Sequence, residues 1–269
     1  MVDDDFMATT RHVLGISGGK DSAALAVFMR DRVPQMEYFF CDTGAELPET
    51  YEYLLKLEAF LGAPIARLNS GRPFEHWLEV YRGTLPSPQV RWCTRAMKLK
   101  PLEDWLGDDS AISYVALRAD EHREGYISTR ENIASVFPFR DHGIDMEGVR
   151  GLLERAGLGL PSYYEWRTRS GCYFCFFQRK AEWARLSERH PDLFAKAVAL
   201  EQKVGHEATQ MQGRAYTWSQ GESLPQLLAR KEAILASDAA TTATPRASNR
   251  LLDVLGGDDD DTACLVCEL

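Results

Sequence analysis

The 269-residue chain has no uninterrupted apolar run near the ~18 residues that a membrane-spanning helix needs. Its opening, MVDDDFMATTRH, is acidic where an export signal is basic and then apolar. A soluble, cytoplasmic chain without membrane association is therefore expected. Positive charge is in deficit, with 31 Lys+Arg against 40 Asp+Glu and a net charge of −9, which at first sight argues against a polyanionic partner. Cysteine is sparse at six residues, and without an export signal this argues against a disulfide scaffold. The six histidines are scattered without metal-ligand spacing, and His76, His142 and His206 read as ordinary surface or cap residues. No internal repeat is present, and neither a Walker phosphate loop nor G-x-G-x-x-G occurs.

What is there is ordinary globular composition, 45% hydrophobic and 26% charged, in a length that suits roughly one or two domains. Seven of the negative charges sit at the two ends, at Asp3 to Asp5 and Asp258 to Asp261. The body between them is close to neutral and has room for a basic face. Two stretches offer one. Arg91, Arg95, Lys98 and Lys100 lie together without an acid, and Arg167, Arg169, Arg179, Lys180 and Arg185 outnumber Glu165 and Glu182. Aromatic residues interleave both stretches at Trp92 and at Tyr163, Tyr164 and Trp166, a pattern that suits a nucleic-acid backbone with stacked bases and suits a solvated helix face almost as well.

Apolar periodicity places short strands at His12 to Ile16, Met36 to Phe40, Pro64 to Leu68, Ala111 to Leu117 and Ile133 to Phe137. Helical spacing covers Lys20 to Asp31, Pro48 to Gly62 and Thr94 to Leu106, with proline near the start of the second and glycine at its end. Strands separated by helices imply parallel pairing through right-handed crossovers, hence a doubly wound α/β fold with a mainly parallel sheet. Beyond Phe139 the pattern turns helical, over Asp145 to Ala156, Phe174 to Arg189, Pro191 to His206 and Leu224 to Ala236. Ala236 to Asn249 is small, polar and aperiodic and reads as a linker before an acidic tail that carries Cys264 and Cys267.

The turn Gly15-Ile-Ser-Gly-Gly-Lys-Asp-Ser22 between the first strand and its helix makes physical sense as an anion cradle. Gly18 and Gly19 let backbone N–H groups approach a phosphate, the helix N-terminus adds partial positive charge and Lys20 a full one. Ser17 and Ser22 can donate to phosphate oxygens, and Asp21 can hold a magnesium ion. A plain glycine-rich turn is the bland alternative.

Ser17-Gly-Gly-Lys-Asp-Ser22 resembles the PP-loop of the ATP pyrophosphatase and phosphoadenosine-phosphosulfate (PAPS) reductase superfamily. Cys41-Asp-Thr-Gly-Ala-Glu-Leu-Pro-Glu-Thr-Tyr51 is similar to the reductases' Asp-Thr-Gly…Pro-Glu-Thr segment. Further matches are Arg91-Trp-Cys-Thr94 with Lys98 to Pro101, Leu117-Arg-Ala-Asp-Glu121 with Arg123, Phe137-Pro-Phe139, and Arg169-Ser-Gly-Cys-Tyr-Phe-Cys175. The resemblance implies an adenine nucleotide alpha hydrolase-like fold, with ATP and Mg2+ bound at the carboxyl ends of the strands. By position it implies that Ser17, Gly18, Gly19, Lys20, Asp21 and Ser22 hold phosphates, that Asp42 lies beside them, and that Arg118 and Arg123 reach the nucleotide or its partner. Lys20, Asp21 and Arg118 would be catalytic. Surface ion pairing with Asp120, Glu121 or Glu124 is the other reading of the two arginines. The implied organisation is an acidic tail over 1–10, the nucleotide-binding α/β domain over 11–140, a helical extension carrying a C-x-x-C over 141–236, and a linker with an acidic C-x-x-C tail over 237–269.

The tail Cys264-Leu-Val-Cys-Glu-Leu269 lacks the reductases' Glu-Cys-Gly-x-His, whereas the full Ser-Gly-Gly-Lys-Asp-Ser form is the one that ATP-splitting members carry. Cys93, Cys172 and Cys175 resemble the cysteines that ligate an iron-sulfur cluster, [4Fe-4S], in this superfamily, with the fourth position open or closed by Cys41, Cys264 or Cys267. Packing thiols, or a zinc site with Cys264 and Cys267, are the alternatives. Arg167 to Lys180 is similar to sulfur-transfer subunits of bacterial DNA phosphorothioation systems of the Dnd and Ssp type. That likeness implies adenylation of DNA or another nucleic acid for sulfur incorporation, with a cysteine desulfurase and other phosphorothioation subunits as partners. A PAPS or adenylyl sulfate reductase, a tRNA thiolation enzyme and a zinc-stabilised nucleic-acid-binding module are the other expectations.

Overall fold

Five short strands, β1 (Arg11–Gly15), β2 (Met36–Cys41), β3 (Ile65–Leu68), β4 (Ala111–Tyr114) and β5 (Ile133–Val136), pair in the order β3-β2-β1-β4-β5. Every pairing is parallel, with Leu14 of β1 opposite Tyr38 on one side and Tyr114 on the other. The chain winds outward from β1 to β2 and β3, then returns to β1's other edge for β4 and β5. The doubly wound α/β expectation therefore holds, and the strand order reverses between β1 and β4. In such sheets ligands bind outside the carboxyl ends of the strands at this reversal.

The computed structural model describes residues 10–122, 130–212, 217–219 and 221–243. Of these, the ones within 10–71 and 94–171 form one compact unit, and those within 72–93 and 172–243 form a second. Among the described residues no helix is long and apolar enough to cross a membrane.

In the first unit, helix α1 (Lys20–Met29) is buried at every position except Val27. A helix that is apolar all round is an interior helix, and Ala23, Ala24 and Ala26 keep this one slim enough to be covered. Their side chains join Leu14, Ile16, Leu25, Leu54, Leu57, Val149 and Leu153 in one apolar cluster. Helix α2 (Pro48–Leu61) starts with proline at its first position, where no intrahelical N–H is needed. It ends at Gly62, whose φ of 66° is left-handed and whose N–H returns to Glu58 O at 3.0 Å. Asp145 caps the helix Met146–Arg155 by accepting from Gly148 N.

The second unit is helical: Phe74–Val80, Lys180–Arg189, Pro191–Gln212, Leu224–Leu228 and Lys231–Ala243. Phe174 stacks on Trp218 with ring centres 5.3 Å apart and packs on Phe74 at 4.2 Å. The buried carboxylate of Glu201 accepts from Trp218 N and Leu224 N at 2.9 and 2.8 Å, tying irregular chain to the long helix.

Several elements differ from the sequence expectation. The helix expected from Phe174 begins only at Lys180, because the preceding residues fold into successive turns, with Cys175 N on Cys172 O and Gln178 N on Cys175 O. The helix expected over Leu224 to Ala236 is two helices, and the second runs to Ala243, so the first half of the expected linker is helical. Helix Phe74–Val80 had no counterpart in the sequence reading. The stretch read as one helix from Thr94 contains a π turn over Arg95–Leu99.

Candidate functional site

The loop Ser17–Gly19 leaves the carboxyl end of β1 and runs straight into α1. Gly18 takes a φ of +77°, a conformation that side chains resist, and a Cβ there would stand 2.5 Å from Thr50 Cγ2. Gly19 is the residue before α1 and offers no side chain to cap it, which leaves the first amides of the helix to partners from elsewhere in the fold. The two serines brace the turn. Ser17 N donates to Ser22 Oγ at 3.0 Å, the two hydroxyls share a 3.0 Å hydrogen bond, and Gly19 N donates to Ser17 Oγ at 3.3 Å.

Lys20 and Asp21 are each only 6% exposed, and Arg118, just beyond β4, is 5% exposed. Asp21 stands between the two cations, with Oδ2 3.3 Å from Lys20 Nζ and Oδ1 3.1 Å from Arg118 Nη1. Arg118 also reaches Glu121 at 3.2 Å and Asp120 at 3.0 Å. Burial works against its charge, yet the carboxylates of Asp21 and Glu121 outweigh that and hold the guanidinium pKa above its ordinary value. These pairs span the strand-order reversal, joining the loop after β1 to the chain after β4.

Asp42 follows β2, where its Oδ1 accepts from Gly44 N at 2.9 Å and from the Tyr51 hydroxyl at 2.8 Å. Glu46 is buried beside it, accepting from Thr43 Oγ1 at 2.8 Å and Ala45 N at 3.1 Å. Burial raises its carboxyl pKa, against the counteracting charge of Lys98. Ser17 to Ser22 and Arg118 are thus brought into one buried constellation, and Asp42 sits at the end of the adjoining strand. Arg123 lies outside the described residues.

A third segment, absent from the sequence reading of the loop, covers it. The Tyr163 hydroxyl donates to Gly18 O at 2.7 Å, Lys20 N donates to the Tyr164 hydroxyl at 3.2 Å, and the Ser170 hydroxyl meets Ser17 Oγ at 3.4 Å. Lys20 Nζ stands 5.1 Å from the Tyr164 ring centre. These partners lie some 145 positions from the loop, so no local pattern announces them.

The same segment corrects the basic-face reading at two of its cations and leaves Arg95, Lys100 and Lys180 exposed. Tyr163, Trp166 and Arg167 are 1%, 4% and 2% exposed, and Arg169 is buried too. Arg167 Nη1 donates to Gly171 O at 3.0 Å. Trp92 of the other stretch is also buried, its indole N–H donating to Thr84 O at 2.8 Å. Trp92, Tyr163 and Trp166 are therefore not available for stacking on bases, while Tyr164 is half-buried against the loop.

The residues give a mixed fit to the implied inorganic groups. Magnesium is commonly held by one or two carboxylates together with substrate phosphates. Asp21 has both oxygens on cations, so Asp42 rather than Asp21 suits that role. For a cluster, Cys93, Cys172 and Cys175 all belong to the second unit. Yet among the described residues no three Cys, His, Asp or Glu side chains converge on a metal position. The set does not fit a cluster in this arrangement. Cys172 and Cys175 share a turn rather than a helix start, which is where the expected geometry departs. Cys41 donates its thiol to Lys98 O at 3.5 Å, and burial pushes its pKa up to about 12, which suits a packing thiol rather than a ligand. Cys264 and Cys267 lie outside the described residues.

Comparison with known proteins adds the following. An uncharacterized protein of Methanocaldococcus jannaschii is 27% identical over 216 residues, 76% of this chain and 51% of that protein. The tRNA-specific 2-thiouridylase MnmA of Enterococcus faecalis is 25% identical over 185 residues, 55% of this chain and 49% of that enzyme. The chain thus spans about half the length of these curated relatives. Among solved structures, a PAPS reductase from Candida auris in complex with phosphate aligns with a TM-score of 0.48 at 12% identity, over 60% of this chain and 81% of that one. Residues 11–139, which hold all five strands and the loop at Ser17–Ser22, match the phosphoadenosine phosphosulfate reductase domain.

Proposed function

We propose that the chain is a PP-loop ATP pyrophosphatase that adenylates a nucleic-acid acceptor for sulfur incorporation, with the DNA backbone as first candidate acceptor. The observation that carries this reading is the loop itself: a helix N-terminus whose N-cap residue is glycine, two positioned serines, and Lys20 and Arg118 held by one buried carboxylate where the strand order reverses. A triphosphate placed there meets backbone N–H groups and fixed cations. An acceptor oxygen attacks the α-phosphorus, and pyrophosphate leaves against charges that are already in place, so that no reorganisation is needed as negative charge builds up. A sulfur nucleophile then attacks the adenylated acceptor, and AMP leaves with the acceptor oxygen. Arg118 would stabilise the reacting phosphate, Asp21 would position Lys20 and Arg118, and Asp42 would hold hydrated magnesium. The match of residues 11–139 to a sulfonucleotide-using domain and the likeness to a thiouridylase support nucleotide and sulfur chemistry in this scheme. A cysteine desulfurase and other phosphorothioation subunits are the proposed partners. No step runs through an iron-sulfur cluster.

The test is release of pyrophosphate from ATP by the full chain, with Mg2+ and with duplex DNA or tRNA as acceptor, followed by transfer of labelled AMP. Lys20→Ala is expected to abolish turnover, and unchanged turnover would remove this reading. A second reading, reduction of PAPS or adenylyl sulfate, is favoured by the domain match. Sulfite release from either sulfonucleotide with a thiol reductant, together with no pyrophosphate from ATP, would select it.

A further inference from the structure

Lys20 N is the first amide of α1, and so a donor that a phosphate bound at this helix would take. That donor is already in use: Tyr164 accepts its hydrogen at 3.2 Å. The half-buried Tyr164 ring also faces Lys20 Nζ at 5.1 Å, so one side chain engages both the dipole end and the ammonium group of the cradle. Its neighbours hold it there. The Tyr163 hydroxyl is anchored on Gly18 O at 2.7 Å, and Ser170 touches Ser17 at 3.4 Å. A Cβ on Gly19 would come within 2.9 Å of Ser170 Oγ, so the covering chain lies directly on the loop.

We propose that Tyr164 is the residue that sets the loop's affinity for phosphate: its hydroxyl oxygen occupies the place of a phosphate oxygen, and a polyphosphate ligand binds by displacing it. This rests on the reading of the loop as a triphosphate cradle. A hydroxyl is neutral and monodentate, whereas a phosphate oxygen is charged and makes a charge-assisted hydrogen bond. The ligand therefore wins the exchange, but its apparent affinity is reduced by the fraction of molecules in which the tyrosine is in place. Tyr163 does not share this role, because its hydroxyl donates to a carbonyl that no anion would approach.

Calorimetric titration of the full chain with inorganic pyrophosphate, and with an ATP analogue whose α,β bridge cannot be cleaved, tests this. Tyr164→Phe removes the competing oxygen and keeps the ring, and it is expected to tighten binding of both probes by roughly two- to tenfold, the worth of one net hydrogen bond. Tyr164→Leu removes the ring from Lys20 as well and is expected to tighten binding at least as much. Tyr163→Phe, which loosens the anchor but keeps the competing oxygen, is expected to give a smaller gain than Tyr164→Phe. Unchanged or weaker binding by folded Tyr164→Phe and Tyr164→Leu, beside a wild-type chain that binds, would overturn the displacement role and leave the cradle standing. Failure of all the proteins, wild type included, to bind either probe would instead overturn the cradle, and the displacement role with it.

Discussion

Asp21 Oδ1 and Arg118 Nη1 stand 3.1 Å apart, and through this contact the turn after β1 is fastened to the chain after β4 at the sheet's point of reversal. Both side chains are more than nine-tenths buried. Desolvation of such a pair offsets much of its attraction, so its net contribution to stability is small while the loss of one partner is severe.

Arg118→Met would leave Asp21 and Glu121 buried with one cation fewer. A loss of about 3–5 kcal/mol in unfolding free energy is expected for this substitution. Urea titration of the variant checks the value. Arg118→Lys would restore the charge without the fork that reaches Asp21, Asp120 and Glu121 together, and is expected to recover stability better than pyrophosphate release.

Gly18→Ala tests the backbone of the cradle. The substitution adds a left-handed residue at a cost of about 1–2 kcal/mol and drives its methyl group into Thr50 Cγ2. Nucleotide binding by calorimetry is expected to fall below detection while circular dichroism stays native-like. Thr50→Ser in the same chain removes the colliding methyl group and is expected to recover part of the binding.

Cys41 gives a pH signature. Its folded pKa of about 12 lies above the ordinary thiol value of 9.0, because burial disfavours the thiolate. Below pH 9 the thiol is protonated in both states and contributes no pH dependence. Between pH 9 and 12 only the unfolded chain ionises, so stability falls as pH rises, by at most ~1.4 kcal/mol per unit. Urea titrations at pH 8.5 and 10.5 under reducing conditions should show this fall in the wild type and a smaller one in Cys41→Ala.

Arg167 separates a structural role from a nucleic-acid contact. Being 2% exposed and bonded to Gly171 O, it is expected to cost about 2–4 kcal/mol of stability as Arg167→Leu. The salt dependence of any DNA binding is expected to stay unchanged, since a lost phosphate contact would reduce that slope by about one.

Much of the first unit was legible because its signals are local. Pro48 and Gly62 bracket α2 by the backbone chemistry of helix ends, and the alternation of short apolar runs with helical spacing set out the sheet. The cradle was legible for the same reason, since Ser17 to Ser22 are contiguous. Its cover was not, because Tyr163, Tyr164 and Ser170 meet the loop only through the tertiary fold. Arg167 and Trp166 misled for a physical reason: charge next to aromatic rings reads as a wet surface, and here the guanidinium is buried and donates to Gly171 O. Phe174 to Gln178 misled differently, since apolar spacing alone does not distinguish a helix from consecutive turns packed in an aromatic core.

The alanine-lined interior of α1 has one more implication. A rod wedged on nearly all sides has no slack to tilt or slide, so its leading amides stay where the sheet puts them whether or not a guest arrives. If this end is the cradle proposed above, admission and release fall to the chain draped over it, and evolution can retune the speed of exchange there without disturbing the anchorage beneath.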